Sequence, residues 1–313
     1  MNILILGGGG YVGTPLTSKL LKNKENKVTV IDTFWFGNFL KKNKRLKIIK
    51  KDIRDVNIKW FKDIDCVIHL ANIANDPAVD LNPNLSWDVN VIASMKIIKF
   101  AIKKKVKKFI FASSGSVYGV KKEKKVTEDL DLVPLSVYNK TKMIAERVFM
   151  SFKDKIRVNC IRPATVCGLS SRMRYDVSVN LLTLQAIKKK QITVFGGNQI
   201  RPNIHIKDMI RLYEFFLKRN IPSGFYNAGF ENLKIINIAK MIQKKINVKI
   251  KIIKSNDPRS YRQDSSKLLR LGFKTNYKVN DAIDEIIALN NRKKIKTNLS
   301  NFTVKWMKKL KIQ

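Results

Sequence analysis

A chain of 313 residues with 44% hydrophobic content can bury a large core, as one α/β domain or as a domain with a smaller lobe. The net charge of +39 suggests attraction to nucleic acid or an anionic surface, but the lysines are scattered through a Lys-, Ile- and Asn-rich chain and no aromatic-basic RNA-binding motif accompanies them, so no nucleic-acid partner is expected. No apolar run is long enough for stable membrane insertion, and three cysteines without CxxC spacing argue against a disulfide framework or a zinc site and for reduced thiols in a cytoplasm.

The first apolar run, 3–6, stops at Gly7 with no basic segment before it, and reads as a strand rather than a signal peptide. A helical pattern follows over 11–22, then strands at 27–31, 46–49 and 66–70. Residues 86–103 read as a helix, 108–112 as a strand, 137–152 as a helix and 157–161 as a strand. Such alternation predicts a parallel sheet with helical crossovers, and the continuous apolar strands predict a sheet covered on both faces. After Pro163 the pattern loosens. Helices are expected at 177–190, 208–218, 235–246 and 280–289, with strands at 192–195, 225–228 and 248–253. The fold class is therefore α/β: a Rossmann-type doubly wound parallel sheet with a smaller mixed lobe. Residues 1–168 are assigned to the dinucleotide-binding domain, with 203–228 returning to it. Residues 169–202 and 229–313 are assigned to a substrate-binding lobe. The basic tail, 291–313, reads as a packed terminal helix or a frayed end rather than an amphipathic helix for a membrane or partner.

Gly7, Gly10 and Gly13 have GxxGxxG spacing between a strand and a helix. Glycines let the backbone turn tightly and approach a diphosphate, whose charge then meets the helix N-terminus. Tyr11 and Val12 lie within this loop. Asp32 ends the second strand, where its carboxylate can accept hydrogen bonds from an adenosine ribose and would repel a 2′-phosphate. NAD is expected over NADP.

With these residues the chain resembles the extended short-chain dehydrogenase/reductase superfamily, specifically its NAD-dependent nucleotide-sugar epimerases and dehydratases. The resemblance runs from Met1 to about Phe273. It is carried by the glycine loop, Asp32, Asp52-Ile53-Arg-Asp55, His69-Leu70-Ala71, Ser113-Ser114-Gly-Ser-Val-Tyr-Gly119 and Tyr138…Lys142. It continues through Arg162-Pro163-Ala-Thr-Val-Cys-Gly168, Asn180, Arg201…His205-Ile-Lys-Asp208 and Asp257-Pro-Arg259. The resemblance implies that Asp52 and Ile53 flank the adenine. Leu70 and Ala71 would line the diphosphate and nicotinamide ribose, with Asn72 and Ser113 beside them and Pro163 near the carboxamide. Asn180, Arg201 and Arg259 would contact a nucleotide-sugar substrate, and a homodimer is implied.

The same likeness implies oxidation of a sugar hydroxyl. Tyr138 would be the base, Lys142 one helical turn on would favour the phenolate, and Ser114 would hold the reacting oxygen. Family dehydratases carry an acidic pair after the catalytic serine or threonine, whereas this chain has Gly115 and Ser116. An epimerase acting at C4, feeding surface polysaccharide synthesis, is therefore expected. A keto-sugar reductase or dehydratase is the enzymatic alternative, and a regulatory or nucleic-acid-binding protein on the same fold is the non-enzymatic one. Cys167 stands where the family usually has tyrosine, and Asn72 where it has a small residue; the polar segment Leu169-Ser-Ser-Arg-Met-Arg174-Tyr-Asp176 is expected to shape the sugar pocket.

Overall fold

Strand formation follows the apolar runs in a computed structural model that describes residues 1–255 and 260–312. Strand β1 (Asn2–Leu6) leads through the glycine turn to α1 (Gly13–Leu20). Next come β2 (Lys27–Asp32), β3 (Leu46–Lys50) and β4 (Cys66–His69). Helices α2 (Asp76–Val79), α3 (Pro83–Trp87) and α4 (Ala93–Lys103) follow. Then come β5 (Lys108–Ala112), α5 (Val137–Met150), β6 (Arg157–Pro163), β7 (Thr165–Cys167) and α6 (Ser178–Lys189). The chain continues through β8 (Gln191–Phe195), β9 (Ile200–His205), α7 (Ile206–Lys218), β10 (Gly224–Ala228) and β11 (Glu231–Lys234). It closes with α8 (Ile235–Gln243), β12 (Lys249–Ile253), α9 (Ser266–Arg270), α10 (Val279–Arg292) and α11 (Thr303–Lys309).

Seven strands form one sheet in the order β10-β6-β5-β4-β1-β2-β3, every pair parallel. Alternate residues of β1 serve opposite layers: Ile3 and Ile5 pack with Leu16, Leu212 and Phe216, while Leu4 and Leu6 pack with Ile97, Phe109 and Phe149. That is the period of two expected for a strand buried on both faces. The strand order reverses at β1, which has β2 on one side and β4 on the other, and a crevice opens at the carboxyl ends of such strands. Gly7 is required there. Its φ is +85°, and a Cβ would lie 2.5 Å from the Ala71 backbone nitrogen.

Two departures from the sequence expectation bear on the site. The helix expected over 86–103 is broken by a wide π turn, Asp88–Ile92. From that turn the buried Asn90 bonds both backbone groups of Ile73 and the Thr141 hydroxyl, tying the segment after β4 to α5. Three strands not anticipated, β7, β9 and β11, form a second sheet in the order β11-β9-β7. β9 and β11 mix Arg, Pro, Asn and Glu with apolar residues, and β7 is only three residues long, so no continuous hydrophobic run marks them. A third pairing, β12 with β8, covers a separate apolar cluster formed by Val179, Leu182, Ile192, Ile238, Ile242 and Ile283.

Buried charge is resolved locally. The Lys108 ammonium donates to the carbonyls of Phe216, Leu217 and Arg219 at the end of α7, where a cation meets the negative pole of the helix. Arg162 on β6, 1% exposed, forms a two-pronged ion pair with Glu146 of α5 at 2.9 and 2.8 Å. Cys66, Cys160 and Cys167 are free and buried. No helix among the described residues is long and apolar enough to cross a membrane.

Candidate active site

A cavity of about 710 Å³ opens at the strand-order reversal. Its walls bring together Gly7, Gly10, Tyr11, Val12, Gly13, Leu70, Asn72, Ser113, Ser114, Tyr138, Lys142, Pro163 and Arg201, all singled out from sequence. They come from the loops after β1, β4 and β5 and from α1, α5, β6 and β9, so their convergence is a product of the fold.

Ser113 and Ser114 follow β5. Ser114 has extended backbone and caps a short 3-10 turn, Gly115–Tyr118. Its hydroxyl lies 2.7 Å from the Ser116 hydroxyl. Ser136 caps α5 through the Asn139 N–H at 3.2 Å and also donates to Asp76. This sets the first helical turn, so Tyr138 and Lys142, spaced i and i+4, face the same side. Burial pushes the Tyr138 phenol up to about 12; Ser114 pulls it down, Asp76 pushes it further, and Arg174 and the Asn75 backbone pull it down.

Lys142 is 2% exposed, with its ammonium 5.9 Å from the Tyr138 ring centroid. It donates to the Ala112 carbonyl at 2.6 Å rather than to the phenol. Burial pulls it down to about 7, opposed by Glu146. Its charge therefore acts beside Tyr138 without contacting it, and that charge weakens above neutrality.

Asp32, at the end of β2, does not itself line the cavity. One carboxylate oxygen accepts from Gly9 N–H at 2.8 Å and the other from Phe34 N–H at 2.7 Å. Burial raises its pKa against these bonds and the Arg172 charge. Each oxygen keeps acceptor capacity for a ribose hydroxyl.

Not every expected residue reaches the cavity. Ala71 lies behind Leu70, its N–H bonded to the Leu6 carbonyl at 2.9 Å. Asp52 is paired with Arg54 at 3.0 Å and Ile53 is buried in the core; neither lines the cavity. Asn180, expected against substrate, is instead fully buried. Its amide bonds Gly168 N–H, Tyr11 hydroxyl and the Arg174 carbonyl, because α6 begins beneath the loop at 168–176 and that loop needs an internal partner. Arg259 and its Asp257-Pro258 neighbours lie outside the described residues.

Other wall residues carried no signal of their own, apart from those of the polar segment 169–176, expected to shape the sugar pocket. Asp76 opens α2 in an Asn-Asp-Pro turn that reads only as a helix start. Trp35 and Phe36 come from the loop after β2. Arg172 and the paired Arg174 and Asp176, 2.9 Å apart, come from the polar loop before α6. The tail packs as expected but also supplies Thr303, Val304 and Met307 to the wall. It is held there by Trp306 Nε1 donating to the Trp35 carbonyl at 2.6 Å and by Thr303 N–H donating to Asp176 at 2.9 Å.

The wall suits a large polar ligand that carries phosphate. Among the described residues, six buried polar side-chain atoms without a partner line the cavity, at Asn72, Ser113, Asn139, Arg172, Ser178 and Thr303, and seven lie away from it. At Gly10 an added Cβ would meet only the Gly7 carbonyl, at 3.4 Å, which leaves the turn open to a close backbone approach.

Comparison with known proteins agrees with this geometry. Residues 3–229 match the model of the NAD dependent epimerase/dehydratase family. A UDP-glucose 4-epimerase of Lactobacillus helveticus is 28% identical over 92% of this chain and 95% of its own length. An uncharacterized UDP-glucose epimerase of Bacillus subtilis is 32% identical over 78% of this chain and 81% of its own. Among solved structures, UDP-glucuronic acid 4-epimerase from Bacillus cereus, in complex with UDP-glucuronic acid and NAD, superposes with a TM-score of 0.82. It is 31% identical, covering 92% of this chain and 100% of that one.

Proposed function

The chain belongs to the NAD-dependent epimerase/dehydratase family, and from that premise we propose that it inverts C4 of a nucleoside-diphosphate sugar through a transient keto sugar. The observation that carries this is the joining of Ser114, Tyr138 and Lys142 to the glycine loop in one cavity, with Gly115 and Ser116 where a dehydratase has its acidic pair.

NAD is the cofactor, and the glycine loop, Asp32, Leu70, Asn72, Ser113 and Lys142 would hold it. When bound it would supply reversible hydride acceptance. The protein moves the proton. Tyr138 would accept it from the sugar hydroxyl and give it back to the same oxygen once the hydride has re-added to the other face of the carbonyl carbon, while Ser114 holds that oxygen by a hydrogen bond. Lys142 adds positive charge beside the phenol. Inversion asks for no further acid or base, only for the keto sugar to present its other face. Arg201 suits the substrate diphosphate, since a guanidinium fork matches two phosphate oxygens.

The test is product mass after incubation with NAD and a panel of UDP-, dTDP-, GDP- and CDP-sugars. A new chromatographic peak of unchanged mass is expected. Loss of one water would show dehydration and overturn the inference from Gly115 and Ser116. No new peak with any sugar would favour a reductase or a non-catalytic protein.

Asp32→Ala removes the ribose acceptor and the charge that opposes a 2′-phosphate. NAD affinity is expected to fall roughly 10-fold or more, with NADP affected less. Fluorescence titration of both cofactors measures this, and an unchanged NAD/NADP ratio would refute the role of Asp32.

A further inference from the structure

Arg172, in the loop between β7 and α6, is 4% exposed and lines the cavity. Its Nε is buried without a partner, and no ion pair or hydrogen bond joins its guanidinium to another described residue. It lies 4.0 Å from the centroid of the Phe36 ring. A ring face offsets only part of the cost of burying a cation, so a buried guanidinium in this setting calls for an anion.

The surrounding bonds say where that anion sits. Ser170 donates to the Tyr11 carbonyl at 2.7 Å, and the Tyr11 hydroxyl donates to the Gly168 carbonyl at 2.7 Å. The loop carrying Arg172 is thus fastened directly to the glycine loop. After burial, Arg174, Asp176, Asp32 and Tyr11 act electrostatically on Arg172, and Arg172 on Asp32. Phe36 belongs to the segment that follows β2. Of these neighbours Tyr11, Asp32 and Phe36 belong to the β1–β2 end of the site, whereas Arg201 enters from β9.

We propose that Arg172 is an anion-binding residue of the dinucleotide site and takes the diphosphate of NAD together with the backbone N–H groups of the glycine loop. The assignment rests on NAD being the cofactor. A guanidinium presents two parallel N–H donors to phosphate oxygens. Contact with Phe36 holds its plane before the ligand arrives, so less side-chain freedom is lost on binding. The loop that precedes α6 thereby couples the cofactor to the wall that also carries Arg174 and the tail.

The experiment is isothermal titration of NAD, ADP-ribose and UDP into the wild-type protein, Arg172→Met and Arg172→Lys, with thermal melts to check folding. Arg172→Met should bind NAD and ADP-ribose roughly 10- to 100-fold more weakly, as loss of a charge-assisted pair predicts. UDP affinity should not change. Arg172→Lys should fall between, because it keeps the charge and loses the fork. Unchanged NAD affinity in Arg172→Met overturns the proposal, as does weakening of UDP instead of ADP-ribose, which would move the residue to the substrate side. If Arg172→Met does not fold, Arg172→Lys decides: unchanged NAD and ADP-ribose affinity there overturns the proposal. A wild-type protein that binds UDP but neither NAD nor ADP-ribose refutes the cofactor assignment itself, a result distinct from any change between variants.

Discussion

Turnover in Tyr138→Phe is expected to fall by about 10²- to 10⁴-fold, the usual contribution of a positioned general base, while NAD still binds. Only one oxygen is removed. Burial pushes that phenol up to about 12. In the unliganded protein the phenol is therefore protonated at neutral pH. Below its pKa the phenolate fraction grows about tenfold for each pH unit, so kcat/KM of the wild-type protein should rise from pH 6 toward pH 8. Loss of charge on Lys142, which burial pulls down to about 7, should flatten that rise at the alkaline end. The residual rate of Tyr138→Phe should lack the rising limb. Steady-state rates across pH, with NAD titrated separately, measure both effects. Full activity in the variant, or an unchanged pH profile, would remove Tyr138 from the chemistry.

The largest stability effect is expected at Glu146. Its carboxylate is fully buried and takes both prongs of Arg162, whose guanidinium also donates to the Tyr118 hydroxyl at 2.7 Å and stacks 4.4 Å from the Phe225 ring centroid. Glu146→Ala leaves that cation buried without its anion, which costs about 3–5 kcal/mol. Urea unfolding should show the midpoint falling accordingly. In the double variant Glu146→Leu/Arg162→Met neither charge remains, and much of the loss should be recovered. A loss under about 1 kcal/mol in Glu146→Ala would show the pair to be dispensable. The pair matters to the site because it locks α5, which carries Tyr138 and Lys142, to β6 and to the turn after Ser114. Arg162 enters the sequence comparison only as one letter of an Arg-Pro motif; its structural weight appears once Glu146, two turns after Tyr138, is seen opposite it.

The chemistry was legible in the sequence where it depends on short spacings. The glycine loop lies between a strand and a helix, Asp32 ends the next strand, and Tyr138 precedes Lys142 by one helical turn. Local geometry dictates each of these, and the strands around them announce themselves as apolar runs. Strand pairs outside the main sheet were not legible. β9 reads Ile-Arg-Pro-Asn-Ile-His, and only its neighbours β7 and β11 make it a strand.

The chain by itself determined a Rossmann-type sheet and a dinucleotide loop, together with a Ser-Tyr-Lys set suited to oxidising an alcohol. Folding decided which polar residues meet the ligand and which serve the frame. It turned Asn180 inward to hold a loop. It brought Asp76, Arg172 and the tail residues Thr303, Val304 and Met307 to the cavity wall. The physical reason is distance along the chain: helical and strand periods act over a few residues, whereas Arg172 meets Phe36, and Trp306 meets Trp35, only because separate segments pack on one crevice.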